Sequence, residues 1–435
     1  MRTSRSVNIK DGNFLRSALL AWGNRFDDVV WLESNGHREE YSEFDALLAV
    51  DAFTALQTGV QGGFDRLKEY QENTRDWIFG ALSYDLKNDL ERLSSNNTDG
   101  LDFPGLYFFQ PKKLLILRNG VLELHYLNLV AQEMEADLRA ITNWRDKAEA
   151  PRATDLKIRS RLSRPEYLAR VGKLLDHIRR GDIYEANYCQ ELFAESVKID
   201  PVGVYRALNL RSTPPFACFS RFAEFSLISA SPERYLRKKG SGLTSQPIKG
   251  TAARSPDPEE DQKLAWHLSQ DPKERSENIM IVDLVRNDLS RVAQKGSVKV
   301  RELCGIYSFQ QVHQMISTVT AVARPGLSPV DIIRECFPMG SMTGAPKVSA
   351  MEIIEKLEAS KRGLYSGAMG YFTPEGDFDF SVIIRSILYN ASREYLSFSV
   401  GSAITSGSQP EKEYEECLIK ARAMREVLEK SSCET

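Results

Sequence analysis

Glu233 and Lys249 are the residues of this chain whose types and setting best suit chemistry. They lie sixteen residues apart in the stretch SASPERYLRKKGSGLTSQPIKGT, which runs from 229 to 251. The apolar run at 225–228 reads as a strand entering a turn that carries Glu233. A second short strand and a glycine-rich turn follow, and QPIKGT closes the unit. A hairpin of this kind brings an acid and an amine to one end of a sheet. Around Lys249, Pro247 stiffens the approach, Ile248 is apolar and Gly250 leaves the amine uncrowded. An arbitrary lysine is a solvated surface residue; the PIKGT setting argues here for a nucleophile. Lysine attacks only when neutral, so its pKa must fall through desolvation or a nearby cation. A glutamate that protonates a leaving hydroxyl must instead be held protonated by burial or by a second carboxylate.

Two helices carry further acids. Asp271-Pro272 starts a long helix with an N-cap and an N1 proline, and Glu274 and Glu277 share one face of it at i,i+3. The last helix presents Glu413, Glu416 and Lys420 in one direction. Carboxylates without histidine or cysteine suit Mg2+, although the spacing alone favours two solvated acidic faces. Arg385, Lys420 and the glycine loop GSMTGAPK at 340–347 are candidates for binding an anion. The loop feeds a helix with Pro346 near N1, where free backbone N–H groups and the positive dipole end favour a carboxylate or phosphate. Arg385 falls inside an apolar strand at 378–389, where a charge needs a partner.

The elements that must position these groups are mixed. Between 1 and about 150, short strands alternate with turns and helices: 28–34 before Asn35-Gly36, 77–86, and 114–117 with 121–126 flanking Asn119-Gly120, a hairpin signal. From 131 to 164 the chain turns helical, charged and alanine-rich, and this connector divides it into regions 1–155 and 156–435. A helix then opens with Ser163 and Glu166 as a capping box, carries Leu168, Val171, Leu174, Leu175 and Ile178 on one apolar face, and ends at Gly181. Residues 182–188 lead into a strand, 213–216 form a rigid turn, and 217–222 form another strand. Residues 307–322 read as mostly strand with His313 in the middle. Ser328-Pro329 caps a helix ending at Phe337-Pro338, and 366–373, 378–389 and 395–405 form a meander. This periodicity supports mixed strands and helices with antiparallel hairpins.

Composition narrows the class. The chain has 435 residues, 42% of them hydrophobic, enough for one large or two ordinary domains. A net charge of −3 with both signs interspersed gives no footprint for nucleic acid or an anionic membrane. The start of the chain has no apolar signal region and no run reaches membrane-spanning length, so a cytoplasmic protein is expected. Six scattered cysteines without CxxC and five histidines without HxxxH argue against a disulfide framework or a thiolate metal site.

Taken together, SPERYL, PIKGT, DPKERSENIMIVDLVRND, the His313 strand, FPMGSMTGAPK, LYSGAMGY, IIRS, GSAI and EKEYEECLIKA resemble the chorismate-binding enzymes. They cover nearly all of 163–425, and WLES, YSEFD and GALSYDL extend the match more thinly into the first half. The resemblance implies an α/β (α+β) fold of two antiparallel sheets packed face to face with helices outside. Anthranilate synthases carry alanine where this chain has Lys249, and lysine there is the aminodeoxychorismate synthase pattern. The resemblance therefore implies that Lys249 attacks C2 of chorismate while Glu233 helps the C4 hydroxyl leave. Ammonia from a separate glutamine amidotransferase then adds at C4 and expels the lysine. The product would be 4-amino-4-deoxychorismate, for para-aminobenzoate and folate.

By the same resemblance Glu277 and Glu416 would ligate Mg2+, with Glu274 and Glu413 acting directly or through water. Arg385, Tyr365, Lys420 and the backbone of Gly401, Ser402 and Ala403 would hold carboxylates, with Thr251, His313 and Thr343 near the ring. Ser34, Tyr41, Ser42, Glu43, Phe44, Pro215, Phe216 and Ala217 match the family's tryptophan pocket. Two positions depart from the pattern. Glu185 stands where many relatives have glutamine or, in isochorismate synthases, a lysine, and the absence of lysine argues against that branch. STPPF at 212–216 replaces the NPSPY of tryptophan-inhibited anthranilate synthases, which argues against feedback by tryptophan. The alternatives are an anthranilate synthase that tolerates lysine and a non-catalytic chorismate- or tryptophan-binding subunit. The latter predicts loss of one of the acids, and none is missing.

Overall fold

Alternation along the strands gives each a face on either side of a sheet. Leu47 and Ala49 belong to one core, and Ala46, Leu48 and Val50 to another. The computed structural model describes residues 1–9, 11–37, 40–145, 156–310 and 312–429. The middle of the connector, with the division at 155, lies outside the described residues.

Two antiparallel sheets result. The first runs through Arg2–Asn8, Val121–Leu127, the second half of Leu106–Arg118, the first half of Ala46–Thr58, Asp28–Glu33, Phe216–Phe222, Phe225–Ser231, Ser386–Asn390, Tyr395–Thr405 and Glu185–Ala194. The second runs through the remaining halves of Ala46–Thr58 and Leu106–Arg118, then Ile78–Leu82, Ala368–Phe372, Phe378–Val382, Arg234–Lys239, Gly242–Gln246 and Val312–Val322. Lys299–Ser308 and Ile248–Ala253 also pair with Val312–Val322. Residues before 146 and after 155 build both sheets, since Asp28–Glu33 pairs with Phe216–Phe222 and Ile78–Leu82 with Ala368–Phe372.

One core fills the space between the sheets and under the helices Pro272–Val292 and Pro329–Cys336. Tyr107 stacks on Phe222 from sheet to sheet at 4.6 Å between ring centroids, a pairing that contributes about 1 kcal/mol beyond its area. The other core lies between the first sheet and an outer layer that includes Gly12–Gly23, Arg164–Arg180, Pro201–Ser212, Lys347–Leu357 and Pro410–Glu429. Among the described residues no helix is long and apolar enough to cross a membrane.

Local signals act as the sequence suggests in several places. The Glu166 carboxylate accepts from the Ser163 backbone N–H at 2.8 Å, and Asn119 and Gly120 both take positive φ in their hairpin. Three readings change. Residues 307–322 are parts of two paired strands, Lys299–Ser308 and Val312–Val322, not one. A helix at Pro258–Gln270, capped by Asp257, precedes Pro272–Val292 and repeats its Asp-Pro signature. The strand expected over 378–389 is broken after Val382 and resumes at Ser386, because it leaves one sheet for the other there.

Candidate active site

The site lies at that break. Phe225–Ser231 crosses from the first sheet to the second as Arg234–Lys239, and its neighbour crosses between Phe378–Val382 and Ser386–Asn390. The two gaps hold Glu233 and Arg385. Their backbones stay bonded across the break: Val382 donates to the Glu233 carbonyl at 3.0 Å, and Ala230 donates to that of Arg385 at 3.1 Å. Arg385 has φ +53, so it sits at the bend and not within a strand.

Glu233 is only 4% exposed. Burial pushes its carboxyl up to about 7 against the opposing influence of Ser341 and Lys249. Desolvation therefore acts in the direction a proton-donating glutamate needs.

Lys249 stands on a bulge. Ile248 pairs with Ile316 and Thr251 with Gln314, so three steps on one strand match two on the other. Gly250 makes this possible with φ +94, and a Cβ there would meet Met315 and Glu274 at 3.1 to 3.2 Å. Asn278, from the helix Pro272–Val292, donates to the Met315 carbonyl at 3.2 Å and ties that helix to the strand. The Lys249 ammonium lies 3.3 Å from Glu185 Oε1. Burial works to lower its pKa, but Glu185, Glu277 and Glu233 outweigh burial and the net shift is upward. The expected fall is therefore not what these residues produce by themselves, because three carboxylates stabilise the ammonium.

The glutamates of the two helices converge across Lys273, whose Nζ lies 3.7 Å from Glu277 Oε1 and 3.3 Å from Glu413 Oε1. Glu277 Oε1 and Glu413 Oε2 are buried without a hydrogen-bond partner. Burial pushes Glu277 up to about 7 and also raises Glu274. Glu416 is 2.6 Å from Lys420, which outweighs its desolvation and lowers its pKa. Among the described residues no three histidine, cysteine, aspartate or glutamate side chains are grouped to hold a metal ion. Two orphaned buried carboxylate oxygens fit a hard cation that takes its other ligands from water or a bound anion, as Mg2+ does.

Arg385 and Lys420 line one cavity with Pro215, Ala230, Pro232 and Gln314, of about 600 Å³ empty volume. The Arg385 guanidinium has no hydrogen bond or ion pair among the described residues, and burial draws its pKa down. Lys420 donates to the Gly401 carbonyl at 2.9 Å. Gly401, Ser402 and Ala403 pair with Cys189, Tyr188 and Asn187, and the buried Ser402 hydroxyl is unpartnered. Tyr365 is buried with its hydroxyl 3.6 Å from Cys189 Sγ.

The polar contacts of His313 and Thr343 lead elsewhere. His313 places Nδ1 2.8 Å from Ser308 Oγ and Nε2 3.0 Å from Asp261 Oδ1. The Thr343 hydroxyl donates to the Gly340 carbonyl at 3.2 Å within its own turn. Thr251 is exposed on the Lys249 strand.

A second cavity gathers Ser34, Ser42, Glu43, Phe44, Pro215, Phe216 and Ala217. Arg234 also lines it, held by Asp379 at 3.0 Å, with its guanidinium 4.9 Å over Phe216 and 5.8 Å from the Tyr41 ring. Sequence reasoning missed Lys273 and Arg234 although each adjoins a chosen glutamate. It also read Glu185 only as a departure from the pattern, since nothing in its local sequence points to Lys249.

Residues 27–426 match the family described as chorismate binding enzyme. The chain is 35% identical to anthranilate synthase component 1 of Thermus thermophilus, over 81% of this chain and 77% of that protein. It is 34% identical to aminodeoxychorismate synthase component 1 of Bacillus subtilis, over 94% of this chain and 87% of that one. The match to the aminodeoxychorismate synthase of Streptomyces griseus, at 37% identity, spans half of that longer protein. The solved structure of anthranilate synthase component I from Streptococcus pneumoniae superposes with a TM-score of 0.76 at 25% identity, over 89% of this chain and 94% of that one.

Proposed function

The chain belongs to the chorismate-binding enzymes, and within that family we propose that it is an aminodeoxychorismate synthase component 1, turning chorismate and ammonia into 4-amino-4-deoxychorismate. The observation that carries this reading is a buried acid, Glu233, under the electrostatic influence of a largely covered lysine, Lys249, which stands where the sequence resemblance separates the two synthase branches.

Arg385 and Lys420 bind substrate carboxylates through charge-assisted hydrogen bonds, with the Gly401–Ala403 backbone alongside. Lys249, once neutral, adds to C2. The electron pairs of the ring double bonds shift and the C4–O bond breaks, while Glu233 gives its proton to the departing hydroxide to form water. Ammonia then adds at C4, the electrons shift back, and the C2–N bond to Lys249 breaks. The new C4 ammonium returns a proton to Glu233. Glu277 and Glu416, with Glu274 and Glu413 directly or through water, would hold Mg2+, which supplies positive charge for a ring carboxylate. The ammonia comes from a glutamine amidotransferase partner, the product feeds para-aminobenzoate and folate synthesis, and the setting is cytoplasmic. The cavity around Phe216 and Arg234 is the proposed tryptophan pocket.

The test is incubation of the purified chain with chorismate, Mg2+ and ammonium, with products separated by chromatography. The expected product is 4-amino-4-deoxychorismate. Anthranilate as the sole product would assign the chain to the anthranilate branch, and no turnover would leave a binding subunit.

A further inference from the structure

The proposed reaction needs an amine at Lys249, and the fold presents an ammonium between carboxylates. Three acids face it. Glu277 comes from the helix Pro272–Val292, Glu233 from the crossover, and Glu185 from the start of the strand Glu185–Ala194. Glu277 is within 3.7 Å of Lys273, and Glu233 must keep its own proton for the leaving hydroxyl. Glu185 is committed to neither. It is 1% exposed, its Oε1 lies 3.3 Å from Lys249 Nζ, and its Oε2 is buried with no hydrogen-bond partner. Its backbone is pinned on both edges, paired with Ala345 on one side and Thr405 on the other. Such a carboxylate is held within reach of the amine, with one oxygen on Lys249 and the other free of competing donors.

We propose that Glu185 is the catalytic base that takes the proton from Lys249 before attack and returns it when the lysine is released. This rests on the lysine-adduct reading above. The first step converts the ammonium and carboxylate into amine and carboxylic acid. The amine lone pair then forms the C2–N bond while the Glu233 proton leaves with the C4 oxygen as water. When ammonia has displaced the lysine as a free amine, Glu185 restores the ammonium–carboxylate pair. Over the cycle chorismate and ammonia become aminodeoxychorismate and water, and both glutamates end as they began. The position that departs from the family's glutamine thus acquires a role.

The experiment is rapid-quench mass spectrometry of the adduct, with chorismate and Mg2+ but no ammonia, across a series of pH values. Glu185→Gln keeps the shape and loses the base. It is expected to slow adduct formation by roughly 10²-fold near neutrality, with the loss shrinking as pH rises and free hydroxide takes over, and with chorismate affinity unchanged. Glu185→Asp, which keeps a carboxylate on a shorter arm, recovers part of the rate. The proposal is overturned if Glu185→Gln forms adduct as fast as the parent or faster. It is equally overturned if the loss is the same at every pH and unrelieved by aspartate. A parent enzyme that makes aminodeoxychorismate without any adduct sinks both this inference and the lysine route. An intact parent adduct with an indifferent Glu185→Gln sinks this inference alone.

Discussion

Glu233 and Arg385 occupy matching places on two neighbouring antiparallel strands, each in the gap where its strand leaves one sheet for the other. Side chains there escape the alternation that commits strand residues to a packed face, so they can be aimed into a cavity. The break costs ladder hydrogen bonds, and the bonds from Val382 to Glu233 and from Ala230 to Arg385 limit that cost. Glu233 and Arg385 are thereby held in short bends anchored by strands on both sides.

Replacing Lys249 by alanine is expected to abolish the adduct and aminodeoxychorismate formation. It also strands Glu185 as a buried charge, at a cost of about 3 to 5 kcal/mol. Thermal melts should show that loss, and the double variant Lys249→Ala/Glu185→Gln should regain most of the stability and none of the turnover. A single variant as stable as the parent would argue that the ion pair is unimportant.

Glu233 makes stability depend on pH in an uncommon direction. Its folded pKa of about 7 lies above the ordinary glutamate value of 4.5, so the native state binds more protons between those limits. Stability from this group is full below about 4.5 and declines as pH rises through about 7, by about 3 kcal/mol at most. Glu233→Gln should therefore melt above the parent at alkaline pH, with the gain vanishing in acid. Turnover should fall by roughly 10² to 10⁴. Equal melting differences at both pH extremes would contradict the assignment.

Arg385→Ala and Lys420→Ala should act on binding. Each removes a charge-assisted bond to substrate, worth about 1.5 to 3 kcal/mol. The expected result is a KM for chorismate raised roughly 10- to 100-fold with a smaller change in kcat. Titration by initial rates checks this, and an unchanged KM in both variants would remove these residues from the substrate site.

Gly401→Ala tests packing. The added Cβ would lie 2.5 Å from Cys189 Sγ and from the Tyr188 carbonyl, where neighbouring strands cannot separate. A loss of about 1 to 3 kcal/mol is expected, visible as a lower Tm. It should be accompanied by weaker substrate binding, since Lys420 donates to the Gly401 carbonyl.

Local chemistry made several features legible. The capping box at Ser163, the Asn119-Gly120 hairpin and the Asp271-Pro272 helix start each depend on two to four adjacent residues, and each stands where the sequence puts it. Each glutamate pair also shares one face of its helix, because i,i+3 spacing fixes that locally. The break at Arg385 was not legible. A run of valine and isoleucine looks the same whether its strand stays in one sheet or passes between two.

By itself the sequence determined the inventory: a family pattern, an acid and a lysine in one hairpin, two acidic helix faces and two cations. Those follow from residue type and short-range spacing. Only the tertiary structure decided their company. Burial raises the Glu233 pKa, Glu185 lies against Lys249, and Lys273 stands between Glu277 and Glu413. Desolvation and charge pairing depend on what the rest of the chain packs around a group, and residues as far apart as 185 and 249 or 273 and 413 become neighbours only when the strands and helices are assembled.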